Sequence, residues 1–139
     1  FLKTVVNVVR EKNKIDIVSD QRGCPTPATT LAEAIVKIGT EILDQPEFSD
    51  WGIYNVTGEG PAVSWYDFAL AITEEAKTMG ICPPSAKVDP IVSAKFASFV
   101  RRPANSELDN SKFEARFGSI DRNWKRAIGS TLHALYPSV

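Results

Sequence analysis

Two polar loops hold the residue types best suited to bind a ligand. In the loop that follows Asp20, Gln21 and Arg22 precede a glycine and two prolines. The glycine and the two prolines stiffen the turn, so a neighbouring side chain can be preorganised for a ligand. The loop 101–106 begins with two arginines and contains Asn105. Guanidinium forks suit a phosphate or pyrophosphate, and an amide suits sugar hydroxyls. From the residues alone, a rigid turn and a solvated basic surface are the simpler explanations.

Three common catalytic arrangements are not supported by the sequence. The single histidine, His133, lies off the apolar stripe of the last predicted helix, so we expect a solvated side chain. Gly58 and Gly60 lack the third glycine of a dinucleotide-binding loop and the Lys-Ser/Thr of a P-loop, and they predict a turn. No tyrosine is followed four residues later by lysine, so the chain has no Tyr-x-x-x-Lys pair. The residues favour binding over catalysis.

The composition is that of an ordinary globular domain. The chain has 139 residues, of which 43% are hydrophobic and 24% are charged. Sixteen basic and seventeen acidic residues give a net charge of −1, which argues against nucleic acid as a partner. No apolar run approaches the roughly 18 to 20 residues that span a bilayer, and no signal-peptide pattern is present. We expect a cytoplasmic protein that does not bind membranes.

Cys24 and Cys82 lie far apart in the sequence, and neither has a second cysteine or a histidine at metal-ligand spacing. This spacing excludes a zinc site. Reduced thiols are favoured over a single disulfide, which the sequence leaves open.

The first half of the chain predicts helices that alternate with strands. Apolar spacing predicts a helix from Leu2 to about Asn13, and the β-branched run 15–18 predicts a strand. Thr30 and Glu33 fit a capping box at the start of a second helix. Its predicted apolar face comprises Leu31, Ala34, Ile35, Ile38 and Ile42. The run 52–56 predicts a buried strand that closes in a turn over 57–61.

In the second half, Ser64 is placed to cap a helix that Gly80 stops. Its predicted core stripe comprises Trp65, Phe68, Ala69, Ile72, Ala76 and Met79. Residues 87–92 alternate around a proline and predict an edge strand. Asp109 is placed to cap a short helix with Phe113 and Phe117, and a last helix follows from Trp124 to Pro137. About three short strands are few for a parallel sheet, so we expect residues outside this chain to complete it.

Five segments, taken in order, carry a family resemblance. They are Phe1-Leu2-Lys3-Thr4-Val5, Asp20-Gln21-Arg22-Gly23-Cys24-Pro25-Thr26, Gly52-Ile53-Tyr54-Asn55-Val56-Thr57-Gly58, Ser64-Trp65-Tyr66-Asp67-Phe68-Ala69 and Arg101-Arg102-Pro103-Ala104-Asn105-Ser106-Glu107-Leu108-Asp109-Asn110-Ser111-Lys112. Together they resemble the C-terminal half of the dTDP-4-dehydrorhamnose reductases, a family of extended short-chain dehydrogenase/reductases. Each segment alone is weak evidence, whereas the ordered set is specific and covers nearly the whole chain.

This resemblance implies an α/β fold in which residues 1–139 are the C-terminal substrate-binding portion and an NAD(P)-binding Rossmann part lies upstream. Members of the family use NADPH, or NADH, to reduce the 4-keto group of dTDP-4-dehydro-6-deoxy-L-mannose, which yields dTDP-L-rhamnose for cell-surface polysaccharide. Hydride comes from the nicotinamide and the proton from a Tyr-x-x-x-Lys pair. Since this chain lacks that pair, we expect it to be inactive alone. The family also implies a homodimer and magnesium at a dimer contact.

The resemblance also assigns residues that bind the dTDP-sugar. Gln21 and Thr26 match the family's Asp-Gln-x-Gly-x-Pro-Thr loop near the substrate cleft, and Arg102 and Asn105 match its Arg-Pro-x-Asn-Ser loop. Arg102 is predicted to pair with the diphosphate, while Gln21 and Asn105 hydrogen-bond the nucleotide or sugar. No catalytic, cofactor-binding or metal-binding residue is assigned to this chain.

Two other functions fit parts of the same pattern. The regulatory subunit of methionine adenosyltransferase is similar to this family, keeps its fold and does not catalyse reduction. An isolated nucleotide-sugar binding module without a Rossmann partner is the second alternative. Without an upstream Rossmann part, strand edges that normally pair with its sheet would be exposed, so we expect the chain alone to be marginally stable or to aggregate.

Overall fold

A computed structural model describes residues 1–95 and 102–137. Arg101, which the sequence placed in the second polar loop, lies outside the described residues. The chain divides into two compact units. The first comprises Phe1–Gly23, Ala62–Ser106 and Lys125–Val139, and the second comprises Cys24–Pro61 and Glu107–Trp124.

Five α-helices and four short strands occur in the described residues. The helices are α1 (Leu2–Lys12), α2 (Ala28–Asp44), α3 (Trp65–Thr78), α4 (Ser111–Phe117) and α5 (Trp124–Leu135). The strands are β1 (Lys14–Val18), β2 (Arg22–Gly23), β3 (Val63–Ser64) and β4 (Lys87–Ile91), and a single 3-10 turn covers Ser93–Lys95. The mixed α/β class expected from the sequence is confirmed.

The core of the first unit forms around a parallel pair of strands, β1 and β4. Ile17 and Val88 are buried on this pair, and α1 and α3 pack against it and against each other. The predicted strands at 15–18 and 87–92 are both confirmed. Pro90 pairs with Ile17 inside β4. Proline cannot donate to a ladder, so its position agrees with an edge strand.

Helices α1, α3 and α5 are where the apolar periodicity placed them. On α1 the valines at 5, 6 and 9 are buried, and the helix ends at Lys12 with Asn13 as its C-cap, whose φ of 59° is left-handed. Ser64 caps α3 as predicted, because its hydroxyl accepts the N–H of Asp67 at 3.0 Å and the Asp67 carboxylate accepts the N–H of Ser64 at 3.2 Å. The stripe of α3 is buried at Ala69, Ile72 and Ala76, whereas Trp65, Phe68 and Met79 are half-buried.

The start of α2 differs from the prediction. The helix begins at Ala28 after Pro27, so Thr30 lies inside its first turn and the capping box with Glu33 does not form. The Thr30 side chain is buried and donates a hydrogen bond of 2.8 Å to the carbonyl of Asp121. Proline is favourable at a helix start because no backbone N–H is lost there. A tertiary hydrogen bond therefore replaced the local cap.

The predicted apolar face of α2 is only partly correct. Ala34 is buried and Ile38 packs with it against a cluster that includes Phe113 and Phe117. Leu31 and Ile35 are exposed instead. The buried face is thus narrower than the apolar stripe, and apolar side chains of α2 remain at the surface of this unit.

The strand predicted at 52–56 is wrong. This segment pairs with no strand among the described residues, and the side chain of Ile53 is 86% exposed. Side chains take over the hydrogen bonds that a strand partner would make. The Ile53 carbonyl accepts Lys112 Nζ at 3.0 Å, and the N–H of Thr57 donates to Asn110 Oδ1 at 2.8 Å.

Helix α4 holds the phenylalanine pair of the second unit, as predicted, with Phe113 and Phe117 both buried. Asp109 is not at the N-cap, which is Asn110. The Asp109 carboxylate nevertheless accepts the N–H and the hydroxyl of Ser111, at 2.8 and 2.9 Å. Asn110 is used elsewhere, since its amide also donates to the Thr57 hydroxyl at 2.9 Å.

Candidate functional site

The two polar loops of the first unit meet in one short ribbon of three extended segments. Arg22 is its central residue, paired antiparallel with Ser64 on one side and bridged in parallel with Asn105 on the other. The Arg22 N–H donates to the Ala104 carbonyl at 2.8 Å, and the Arg22 carbonyl accepts the Ser106 N–H at 2.9 Å. The structure therefore brings together Arg22 and Asn105, which the sequence assigned to separate loops.

Gly23 allows the segment that contains Ser106 to pack closely against β2. A Cβ at Gly23 would lie 2.6 Å from the Ser106 hydroxyl oxygen, which is closer than carbon and oxygen approach without displacement. That hydroxyl instead donates a 3.1 Å hydrogen bond to the Arg22 carbonyl. Because paired residues point to the same face of a sheet, Ser64, Arg22 and Asn105 share one face, while Gly23 and Ser106 share the other.

The side chain of Arg22 is fixed at one point and otherwise exposed. Its Nη2 donates to the Ala62 carbonyl at 2.5 Å. Arg102 is also exposed. Within residues 1–95 and 102–137, neither arginine forms an ion pair with a carboxylate. Positive charges without an acidic neighbour are available to an anionic ligand.

Gln21 is joined to the same ribbon through its main chain. It is half-buried, and its carbonyl accepts the N–H of Trp65, the first residue of α3, at 3.2 Å. Trp65 in turn contacts the rings of Phe1 and Phe68, with centroids 5.0 and 6.4 Å away. Trp65 therefore packs against other aromatic side chains, as its place on the apolar stripe predicts.

Asp20 anchors the residues that follow β4. Its carboxylate accepts the Ser93 N–H at 2.9 and 3.0 Å and the Ser93 hydroxyl at 2.9 Å. The hydroxyl hydrogen bond, and then the backbone one, lower the pKa of the Asp20 carboxyl below its ordinary value. Successive residues 20, 21 and 22 thus each hold a different segment of this unit.

Thr26 belongs to the second unit, and its hydroxyl is engaged within the protein. It donates to the Cys24 carbonyl at 3.0 Å and accepts the Gly58 N–H at 3.1 Å. A Cβ at Gly58 would lie only 1.8 Å from the Pro25 carbonyl oxygen, so glycine is required there. The predicted turn around Gly58 and Gly60 is confirmed, since bends cover 59–61 and Gly60 has a φ of 83°.

The histidine and the two cysteines are the other candidate reactive side chains. His133 is exposed, in agreement with the prediction of a solvated side chain. Cys24 and Cys82 are both free cysteines. Burial raises the pKa of the Cys82 thiol, so this side chain is a poor nucleophile. Among the described residues, no group of three or more His, Cys, Asp or Glu side chains could hold a metal ion.

Residues 1–136 match the family model described as RmlD substrate binding domain. The chain belongs to the RmlD substrate binding domain family. A dTDP-4-dehydrorhamnose reductase from Aggregatibacter actinomycetemcomitans is 37% identical over 128 residues, which are 92% of this chain and 43% of that protein. Another from Escherichia coli K12 is 29% identical over 136 residues, or 98% of this chain and 44% of that protein.

This RmlD substrate binding domain has the same fold as the matching part of a solved reductase. A crystal structure of a dTDP-4-dehydrorhamnose reductase from Clostridium acetobutylicum superposes with a TM-score of 0.80 at 31% identity, over 97% of this chain and 43% of that one. The resemblance inferred from the ordered segments is confirmed. The chain spans less than half the length of the relatives that it matches. Separately, no helix in the described residues is both long and apolar enough to cross a membrane.

The pairing of the two loops was the feature that sequence reasoning missed. The strands β2 and β3 are two residues long each, which is too short for a periodic signal. One signal was available, because Gly23 lies between Arg22 and a cysteine-proline turn, and a glycine in an extended segment often marks a close approach of another backbone.

Proposed function

We propose that this chain is the substrate-binding part of an NADPH-dependent dTDP-4-dehydrorhamnose reductase. The observation that carries the proposal is the family match over residues 1–136, together with relatives that bear this name. The full-length protein would reduce dTDP-4-dehydro-6-deoxy-L-mannose to dTDP-L-rhamnose. Residues 1–139 would supply the nucleotide-sugar side of the site, and an N-terminal Rossmann part would supply the dinucleotide side.

The ribbon around Arg22 is the proposed place of nucleotide-sugar binding in the first unit. Arg102 would pair with the diphosphate, and Asn105 and Gln21 would hydrogen-bond the nucleotide or the sugar. Support comes from the exposure of Arg102 without a carboxylate partner among the described residues and from the hydrogen bonds that fix the main chain at 104–106. Thr26, in the second unit, stays a proposed contact of the dTDP-sugar, and its hydroxyl also donates to the Cys24 carbonyl and accepts the Gly58 N–H.

The cofactor would bind outside this chain. A relative from Bacillus anthracis, solved in complex with NADP, shares the fold with a TM-score of 0.67 at 24% identity. The closely spaced glycines that resemble a phosphate loop, Gly58 and Gly60, form a turn on Pro25 instead. When bound, the nicotinamide supplies the hydride. Magnesium, a homodimer and a cytoplasmic location stay predictions for the full-length protein, and no metal-binding group occurs among the described residues.

The reductase is favoured over the regulatory subunit because the relatives described above are named dTDP-4-dehydrorhamnose reductases. The deciding experiment follows NADPH absorbance in the presence of dTDP-4-dehydro-6-deoxy-L-mannose, with the full product of the reading frame and with this chain in parallel. We expect turnover by the long form and none by the chain alone. A folded long form without turnover would favour a regulatory or binding protein.

A further inference from the structure

We propose that the guanidinium of Arg22 is a second contact for the diphosphate of the nucleotide sugar, in addition to Arg102. The inference rests on the proposed function, because it takes the same dTDP-sugar as its ligand. In the first polar loop the family resemblance assigns Gln21 to the ligand, whereas the pairing of the strands points also to the next residue.

Arg22 lies beside Asn105 in the ribbon, on the same face. Arg22 and Asn105 are partners in a parallel bridge, so their side chains leave the same face. Neighbouring strands are about 4.8 Å apart. A ligand group hydrogen-bonded to the Asn105 amide therefore lies within reach of the longer Arg22 side chain.

The hydrogen bond to Ala62 holds the Arg22 side chain in place. A guanidinium has five N–H donors in a rigid fork, and Arg22 Nη2 uses one of them on the Ala62 carbonyl at 2.5 Å. This contact restricts the side chain before any ligand binds, which lowers the entropic cost of binding. Arg22 as a whole is exposed, and the remaining donors of its guanidinium suit two oxygens of a diphosphate.

The positive charge of Arg22 is the third feature that suits a diphosphate. Arg22 has no carboxylate partner among the described residues, although other basic side chains of that part of the chain, such as Lys14 and Arg116, do form ion pairs. An isolated cation on the ribbon face of Asn105 is complementary to a diphosphate. It adds nothing to the recognition of an uncharged nucleoside.

The test compares dTDP with thymidine in titrations of the full-length protein. Arg22→Gln and Arg22→Met remove the charge and keep a long side chain, Arg22→Lys restores the charge, and Arg10→Gln removes an equal charge from α1 as a matched control. We expect Arg22→Gln and Arg22→Met to weaken dTDP binding about tenfold or more and to leave thymidine binding unchanged. Arg22→Lys should recover part of the loss, and Arg10→Gln should bind as wild type.

Two results would overturn the role of Arg22 while leaving the proposed function intact. One is wild-type dTDP affinity in a folded Arg22→Gln or Arg22→Met variant when Arg102→Gln is impaired. The other is an equal loss of dTDP and thymidine binding, which indicates that only the support of Ala62 was removed. A folded wild-type protein that does not bind dTDP would instead contradict both proposals.

Discussion

The carbonyl of Arg22 accepts two hydrogen bonds from Ser106, one from its N–H at 2.9 Å and one from its hydroxyl at 3.1 Å, across 84 positions of sequence. Such a double contact fixes the main chain on which Asn105 lies. An ordered loop binds a ligand with less loss of conformational entropy than a free one. This double contact supports the proposal that the nucleotide sugar binds at the ribbon.

Arg102→Ala should weaken dTDP binding without affecting folding. Arg102 is exposed and makes no ion pair among the described residues, so its removal costs little stability. A hydrogen bond to a charged group is worth about 1.5 to 3 kcal/mol, and we expect an affinity loss of about tenfold or more. Calorimetry on the full-length protein measures it, with Lys3→Ala as a control for the loss of one charge. An unchanged affinity would remove Arg102 from the site.

Gly58→Ala and Gly39→Ala should change stability in opposite directions. A Cβ at Gly58 would meet the Pro25 carbonyl oxygen at 1.8 Å, and this backbone contact cannot yield cheaply. We expect a loss of about 3 kcal/mol or more in the free energy of unfolding. Gly39 lies inside α2 with open space around it, so alanine should add about 0.5 to 1 kcal/mol. Urea unfolding followed by circular dichroism compares the two, and equal effects would contradict the geometry at Gly58.

The contact between Asp20 and Ser93 should be visible as a pH effect. The Ser93 hydroxyl and N–H hold the pKa of the Asp20 carboxyl below its ordinary value. A carboxyl with a lowered pKa in the folded state stabilises the protein fully above its unfolded pKa of about 3.9. That contribution is lost as the pH falls through the folded pKa.

Ser93→Ala removes the hydroxyl and keeps the N–H, so the pKa of Asp20 should rise part of the way to its ordinary value. An NMR titration of the carboxyl groups measures this change. The pKa of Asp109, which is lowered by the N–H and hydroxyl of Ser111, should stay where it is and serves as the control. A Ser93→Ala protein with the wild-type Asp20 pKa would show that the hydroxyl bond does not form.

The 139-residue chain should self-associate when it is produced alone. The second unit exposes large apolar side chains, among them Leu43, Trp51 and Ile53 at 84%, 70% and 86%. In the first unit, β1 and β4 pair only with each other among the described strands, which leaves one open edge on each. Light scattering over a concentration series tests this prediction. A monomer with a cooperative melt would contradict it.

The elements that the sequence predicted correctly are those with a long apolar period or a local cap. Helices α1, α3 and α5 and the strands β1 and β4 depend on residues close in sequence, such as Ser64 and Asp67 in their capping box. Thr30 and Ile53 were misread for the opposite reason. Their surroundings depend on distant partners, the Asp121 carbonyl and the Lys112 ammonium, which no local pattern reveals.

The candidate site shows the same division. The residue types at Arg102 and Asn105 suit a phosphate and a sugar hydroxyl, but a solvated surface was the simpler explanation until the family resemblance assigned them to the ligand. Their connection to Arg22 is a tertiary pairing between strands of two residues, and such pairing carries no periodic signal. The sequence could therefore indicate the two loops, while only the fold shows that Arg22 is the residue bridged to Asn105.

Hydrogen exchange of the full-length protein with and without dTDP tests the central claim most directly. The account predicts that dTDP slows exchange in the peptides that cover 21–23, 62–65 and 102–106, because these segments form the ribbon that would hold the diphosphate and the sugar. Peptides from the exposed part of α2 should exchange at the same rate in both samples. Protection by dTDP that is confined to other segments, with none at the ribbon, would contradict the account.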